Sequence, residues 1–300
     1  MSAPEIRITD PEAAGLRGGV VKAYIELTKP RIIELLLVTT VPAMAVAAAG
    51  WPATWLVVAT LVGGTLSAAG ANAINQVVDR DIDQKMRRTR RRPVPTYRIE
   101  PRNAVVFGTT LGVAGFAWLW WTTNLLAAVL STIGLLFYVF VYTMYLKRTT
   151  VQNIVIGGAA GAVPPLVGWA AVTGELALPA WIMFAIVFYW TPPHFWALAL
   201  RYQDDYAAAG VPMLPVVVGR EETVRHIVLY TAVLVGVSLM LVPTQAVGVL
   251  YFGAAALLGA GLFAAAWRLR AHDEEAMRFF TWSNGYLALL FVAMLADALL

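Results

Sequence analysis

Residues 72–95 read NAINQVVDRDIDQKMRRTRRRPVP. Three aspartates, Asp79, Asp81 and Asp83, fall within five residues, and a block of arginines follows at once. Strongly apolar sequence adjoins both ends. The rest of the chain makes this stretch conspicuous: of 300 residues, 59% are hydrophobic and only 13% charged, and mean hydropathy is +0.68. A soluble domain carries about a quarter charged residues. This is a membrane protein on composition alone, its long apolar runs make the expected fold all-α, and its densest charge, of both signs, needs a chemical reason.

A membrane-spanning helix needs roughly 20 mostly apolar residues. Nine stretches qualify: 32–50, 53–74, 104–121, 125–146, 151–171, 180–200, 224–242, 246–267 and 281–300. The first 30 residues carry Glu5, Asp10, Glu12 and Glu26 and lack the basic start and short apolar core of a cleavable signal. Residues 1–31 are therefore expected to form a cytoplasmic amino-terminal segment, and 32–300 a single transmembrane domain. With no cysteine, disulfides, thiolate metal sites and thiol nucleophiles are excluded.

Nine spans give a sided molecule. All 22 Lys and Arg residues fall in the amino-terminal segment or after the second, fourth, sixth and eighth helices. The opposite connections contain no basic residue and one acid, Glu175. The positive-inside rule puts the amino terminus and the charged loops in the cytoplasm and the carboxy terminus outside, with a bacterial plasma membrane as the expected location. Both long connections, 76–103 and 202–223, are on the charged side, so chemistry is expected at the inner mouth.

Asn75, Asp79 and Asp83 are spaced four and four, within ~80° of arc on a helix. This requires the second helix to run about two turns past the membrane. Asp81 points elsewhere, as a solvated or capping residue. Carboxylates four apart repel and call for a cation. Oxygen donors with no His or Cys nearby favour Mg²⁺ or Ca²⁺ over zinc, and Mg²⁺ is commonly held by one or two carboxylates plus substrate phosphates. The arginines beyond bind phosphate oxygens. Together these predict a diphosphate site at the membrane face. A loop that only oriented the protein would need the positive charge but not the aligned acids.

His226 sits at the cytoplasmic edge of a predicted span and His272 in a loop, whereas His194 lies well inside a span. An ionisable group there is a functional candidate, as an iron ligand or proton carrier; the alternative is a structural hydrogen bond. Pro164 and Pro165 predict a broken fifth helix, which would turn Asn153 toward the interior. Aromatics of 188–196, including Trp196, and Tyr138, Tyr142 and Tyr145 could line a slot for a flat acceptor; interface aromatics are also common in any membrane protein.

The sequence resembles the UbiA superfamily of intramembrane prenyltransferases, whose first hallmark is Asn-x₃-Asp-x₃-Asp after the second helix. Within it the likeness is to the branch that works on haem, through LTKPRI (27–32), NQVVDRDIDQKMRRTRRRPVP (75–95), VYTMYLKRTTVQNIVIGGAAGAVPPLVGWAAVTG (141–174), WTPPHFWALALRY (190–202) and DYAAAGVPMLPVVVG (205–219). The resemblance implies nine helices in a bundle around a central cavity, with a cytoplasmic cap over its mouth. It implies Mg²⁺-dependent transfer of a farnesyl group from farnesyl diphosphate to a vinyl group of haem B with addition of water, giving haem O for haem-copper oxidases. Contacts with haem A synthase or oxidase assembly proteins follow as expected partners, and no nucleic acid does.

On that reading Asp79 and Asp83 hold Mg²⁺ and Asn75 bonds a phosphate oxygen or a metal-bound water. Arg87, Arg91 and Lys147 neutralise the leaving group, with Arg88 and Arg148 next. Many members carry a second Asp-x₃-Asp before the later GxxxLP signature; counting back from Gly210, those places hold Tyr202 and Tyr206. Asp204 and Asp205 lie between them, out of register, and Asp205 is the one expected to approach the diphosphate or its metal. The rival readings are a prenyltransferase for a quinone precursor or other aromatic acceptor, and a membrane transporter.

Overall fold

The computed structural model describes residues 19–300, apart from the side chains of 31–37 and 273; most of the expected amino-terminal segment lies outside them. Among the described residues the chain is helical throughout, with no strand. Helix α1 (Val20–Thr28) turns at Lys29 into α2 (Pro30–Ala48), whose leading proline has no N–H to leave unpaired. Then come α3 (Thr54–Val78), α4 (Arg80–Lys85), α5 (Pro101–Thr122) and α6 (Leu125–Leu136). A π-helical stretch, Phe137–Leu146, and α7 (Lys147–Thr149) continue α6 as one rod. The second half holds α8 (Asn153–Thr173), α9 (Leu178–Arg201), α10 (Gln203–Ala208), α11 (Leu214–Leu239), α12 (Val249–Arg268) and α13 (Ala276–Ala298).

Eight of these helices are long and apolar enough to cross a membrane, and the protein is an integral membrane protein. The first expected span coincides with α2, which contributes a shorter apolar stretch, Val38–Ala48. The count of nine is therefore approximate. Small residues bring helices together where lipid offers no hydrophobic drive. A Cβ built on Gly70 of α3 would lie 2.5 Å from the Gly108 carbonyl oxygen of α5, so any side chain there would force the two helices apart.

One expectation needs correction. The fifth helix is not broken: α8 runs through Pro164 and Pro165 without interruption. Proline removes one backbone bond, but Pro165 to Ala171 are all buried, and a Cβ on Gly168 would sit 2.7 Å from the Thr40 carbonyl oxygen of α2. Packing against neighbouring helices holds the rod together where the local sequence favours a break. The seventh expected span is preceded by a short helical turn from Leu214; the backbone leaves helical geometry at Gly219 (φ 77°, ψ −179°), and the spanning rod starts just after it, close to the expected 224.

The two long connections form a cap at one end of the bundle. Ile82 and Met86 beside α4 pack with Tyr206, Ala209, Val211 and Met213 around α10, with Ile154 and Ala199 beneath. On the flank, Ala23 and Leu27 of α1 pack with Val94, Ile99 and Ala104. Asn72 donates to the Thr28 carbonyl (2.9 Å) and Gln76 to that of Leu27 (3.1 Å). These are the unpaired carbonyls at the end of a helix. Tying them to α3 sets Lys29 above Asn75.

Candidate active site

The Asn75–Asp79–Asp83 row survives a break in its helix. Asp79 ends α3 with φ −84° and ψ 5°, yet the Asp79 N–H still donates to the Asn75 carbonyl (2.9 Å) and the Asp83 N–H to that of Asp79 (2.8 Å). The four-residue register carries through, and all three side chains are buried on one face, each no more than 2% exposed. Charges in that setting must be paired. Lys147 Nζ lies 2.6 Å from Asp79 Oδ2, which also accepts from Asn75 Nδ2 at 2.8 Å. Arg92 donates to both oxygens of Asp83, at 3.0 and 2.8 Å. Lys29 Nζ donates to Asn75 Oδ1 at 2.7 Å.

The π-helical stretch brings in a fourth partner. Thr143 donates to the Tyr138 carbonyl five residues back (2.8 Å) and accepts from Asn75 Nδ2 (3.0 Å). The wider turn rotates Thr143 onto α3, in keeping with the tendency of π-bulges to occur at functional sites. Tyr138 and Tyr142 stack with centroids 5.6 Å apart. Tyr142 lies so close to Gly157 that a Cβ there would be 2.2 Å from the ring. Lys29, Tyr138 and Tyr142 are each partly buried near the acids. Loss of water, and then the Arg92 charge, pull the Lys29 ammonium down to about 7 against the attraction of Asp79 and Asp83.

The basic block divides differently from its sequence spacing. Arg87 and Arg91, expected together at the leaving group, separate here. The chain leaves the helix at Met86 (φ −91°, ψ 126°), and Thr89 donates to the Asp83 carbonyl at 3.2 Å. That turn brings Arg92 back onto Asp83 and leaves Arg91 exposed. Arg87 reaches Asp205, 3.7 Å away, and Arg88 lies 5.6 Å from the centre of the Tyr202 ring. Arg148 holds both oxygens of Asp81 (2.7 and 2.8 Å) and the Val78 carbonyl (2.7 Å), which caps α3. Those bonds hold the Asp81 carboxyl down at about 2.

Where a second acid pair was sought, Tyr206 is buried in the cap, and burial raises its phenol above the usual value. Asn153 ties α8 to the cap, donating to the carbonyls of Thr150 (2.6 Å) and Pro212 (3.2 Å). Trp196 packs edge-on against His226 and Tyr230 of α11. His194 is sandwiched between Trp190 (4.2 Å) and Phe280 (4.3 Å) at the α9–α13 interface, with Nδ1 2.7 Å from Ser283 Oγ. Ser283 gives its one proton to the Phe280 carbonyl (2.8 Å). The serine must therefore accept from Nδ1–H, which leaves Nε2 as the lone-pair nitrogen. Lys29, Arg92 and Thr143 are the site members that spacing missed. Only LTKPRI carried any sequence signal for Lys29.

The donors fit a divalent cation shared with a ligand. Asp79 Oδ1 is buried with no hydrogen-bond partner, a costly state for a carboxylate oxygen. Among the described residues no three acids or histidines cluster as a complete metal site, so further donors would have to come from the ligand.

A helical bundle whose buried acids and bases meet beneath a cap is the architecture of a class of membrane-embedded transferases, and the comparisons agree. The profile of the UbiA prenyltransferase family matches residues 36–292, and the chain belongs to that family. Among its relatives, protoheme IX farnesyltransferase 1 of Saccharopolyspora erythraea is 54% identical over 287 residues, covering 94% of this chain and 91% of the relative. Protoheme IX farnesyltransferase of Gloeobacter violaceus is 56% identical over 279 residues, with 92% of each chain covered. A UbiA homologue from Archaeoglobus fulgidus bound to DMAPP and Mg²⁺ has the same fold, with a TM-score of 0.65 at 15% identity over 90% of this chain and 98% of that one.

Proposed function

We propose that the protein transfers a farnesyl group from farnesyl diphosphate to a vinyl group of haem B, with addition of water, to make haem O for haem-copper oxidases. The observation that carries the reading is the buried row of Asn75, Asp79 and Asp83, each bonded to a cation of the chain, with one Asp79 oxygen unpartnered. Relatives at 54% and 56% identity named for this acceptor support the haem branch.

The carbon–oxygen bond of the donor breaks and diphosphate leaves with the electron pair. The allylic carbon then bonds to the vinyl group, and water adds to the cationic carbon so formed and loses a proton. The protein's part is to stabilise the leaving charge, hold the two partners close and keep water from the first cation. Asp79 and Asp83, with Asp205 behind Arg87, are the residues that would hold Mg²⁺, which when bound offsets the charge of the diphosphate. Lys29, Lys147 and Arg92 lie on the same row and can exchange their present partners for a phosphate oxygen. Arg87 and Arg88 flank the mouth as further donors, while Arg148 is occupied in holding Asp81 and the end of α3.

Tyr138 and Tyr142, stacked on each other, would flank the path of the farnesyl tail, which gains about 0.8 kcal/mol per buried CH₂. Tyr202, Tyr206, Asn153 and Trp196 shape the cap and the α9–α11 side. His194, with its free Nε2, belongs to the acceptor side as an iron ligand or proton acceptor. The charged end faces the cytoplasm of a bacterial plasma membrane, by the distribution of basic residues. Purified protein given farnesyl diphosphate, Mg²⁺ and either haem B or 4-hydroxybenzoate tests this by mass analysis. Haem O from the first mixture is expected; product from the second acceptor alone would overturn the haem reading, and Mg²⁺-independent solute flux without product would favour a transporter.

A further inference from the structure

A second feature stands apart from the site. At the charged end of the bundle, α12 and α13 enclose a groove of about 380 Å³, within the range of small-molecule pockets, about 300–1,000 Å³. Gly261, Ala264, Ala265 and Arg268 recur on one face of α12 and make its floor; Arg278, Phe279 and Trp282 of α13 make its wall. Three small residues leave the floor open, and an ideal Cβ on Gly261 would meet only the Trp282 ring, at 3.6 Å. The inner part is thus lined by small and aromatic side chains.

The open end is charged. Glu275 closes it, 2.9 Å from Arg268 and 3.8 Å from Arg278. Within the lining one carboxylate answers two guanidinium groups, while the neighbouring Glu274 stays outside it, 77% exposed and 3.9 Å from His272. Both arginine side chains are well exposed, 65% and 80%, whereas Glu275 is 13% exposed. Each guanidinium has five N–H donors, most of them free for a ligand. Trp267 and Trp282 are exposed on either side, the arrangement that sits at headgroup depth, and Arg270 stacks on Trp267 at 4.5 Å.

We propose that this groove binds an anionic glycerophospholipid, its phosphodiester held by Arg268 and Arg278 and one acyl chain laid along Gly261, Ala264 and Ala265. Basic pockets between membrane helices commonly take such headgroups. A choline headgroup would bring a further cation toward Arg268, Arg270 and Arg278 and is disfavoured. A free phosphate would satisfy the arginines but not the apolar floor.

Native mass spectrometry of the full chain, released from detergent with phosphatidylglycerol or phosphatidylcholine, tests the site. Retained phosphatidylglycerol is expected to exceed phosphatidylcholine at least about fivefold, and the double variant R268Q/R278Q is expected to erase that preference. G261L keeps both arginines and fills the floor, and is expected to lower lipid retention by a similar factor while inorganic phosphate still shifts the melting temperature. Equal retention of the two lipids, unchanged retention in both variants, or full thermal stabilisation of the wild type by inorganic phosphate alone would each overturn the proposal. Neither variant touches the acid row, so haem O formation in lipid-saturated vesicles reports that the protein is folded.

Discussion

The molecule contains two helix-and-cap units of the same design. In each a long spanning helix, α3 or α9, leads into a six-residue cap helix, α4 or α10. The first unit buries three polar side chains in one row and gives each a cation. The second buries Tyr206 and holds one largely covered acid, Asp205, against the exposed Arg87 at 3.7 Å. The same backbone plan therefore supports a tightly paired charge cluster in one half and an aromatic wall in the other. On the proposed reading, the first unit carries the burden of diphosphate chemistry.

The sharpest way to break that contrast is Asp79→Asn, which keeps shape and removes charge. Haem O formation is expected to fall about 10²–10³-fold, the scale of losing one preorganised electrostatic partner, with the protein still inserted. Arginine replacements sharpen it further. Arg92→Gln leaves Asp83 buried without its fork and is expected to lower the rate about 10–100-fold, whereas Arg91→Gln, at an exposed position, is expected to change it less than about threefold. In the second unit, Asp205→Asn is expected to cost about three- to tenfold, mainly as a raised KM for farnesyl diphosphate in steady-state assays; a loss as large as that of Asp79→Asn would make the two units equals.

The smallest effect belongs to Asp81, on the outer side of the first cap helix. Its folded carboxyl is held at about 2, below the ordinary 3.8. A depressed carboxyl contributes stability above about pH 4 that is lost as pH falls toward about 2. The side chain is 62% exposed, so screening keeps the contribution under about 1 kcal/mol. The melting difference between wild type and Asp81→Asn is expected to be small at pH 7, to shrink below about pH 4 and to vanish near about pH 2.

Much of this was legible before any coordinates. The row at 75, 79 and 83 could be read because hydrogen bonds four residues apart are local, and they persist even where α3 gives way to α4 at Asp79. Where each arginine ends up was not legible, because the chain leaves the helix at Met86, after which spacing no longer predicts direction. The expected break at Pro164 and Pro165 failed for the opposite reason: a strong local signal was overridden by packing of α8 on α2. Thr143 was out of reach because a π-helical turn, not a regular one, aims it at Asn75.

By itself the sequence determined the membrane class, the helix spacing, the segregation of charge to one end and the face on which the acids lie. These follow from hydropathy and short-range periodicity, which each segment carries on its own. Tertiary structure decided which cation meets which acid, that Lys29 joins the site from the end of α1, and that His194 presents Nε2 rather than Nδ1. Apart from Arg92, which a local turn returns to Asp83 nine residues away, those outcomes depend on groups 46 to 89 residues apart in the chain, and only packing of the helices against one another brings such groups within bonding distance.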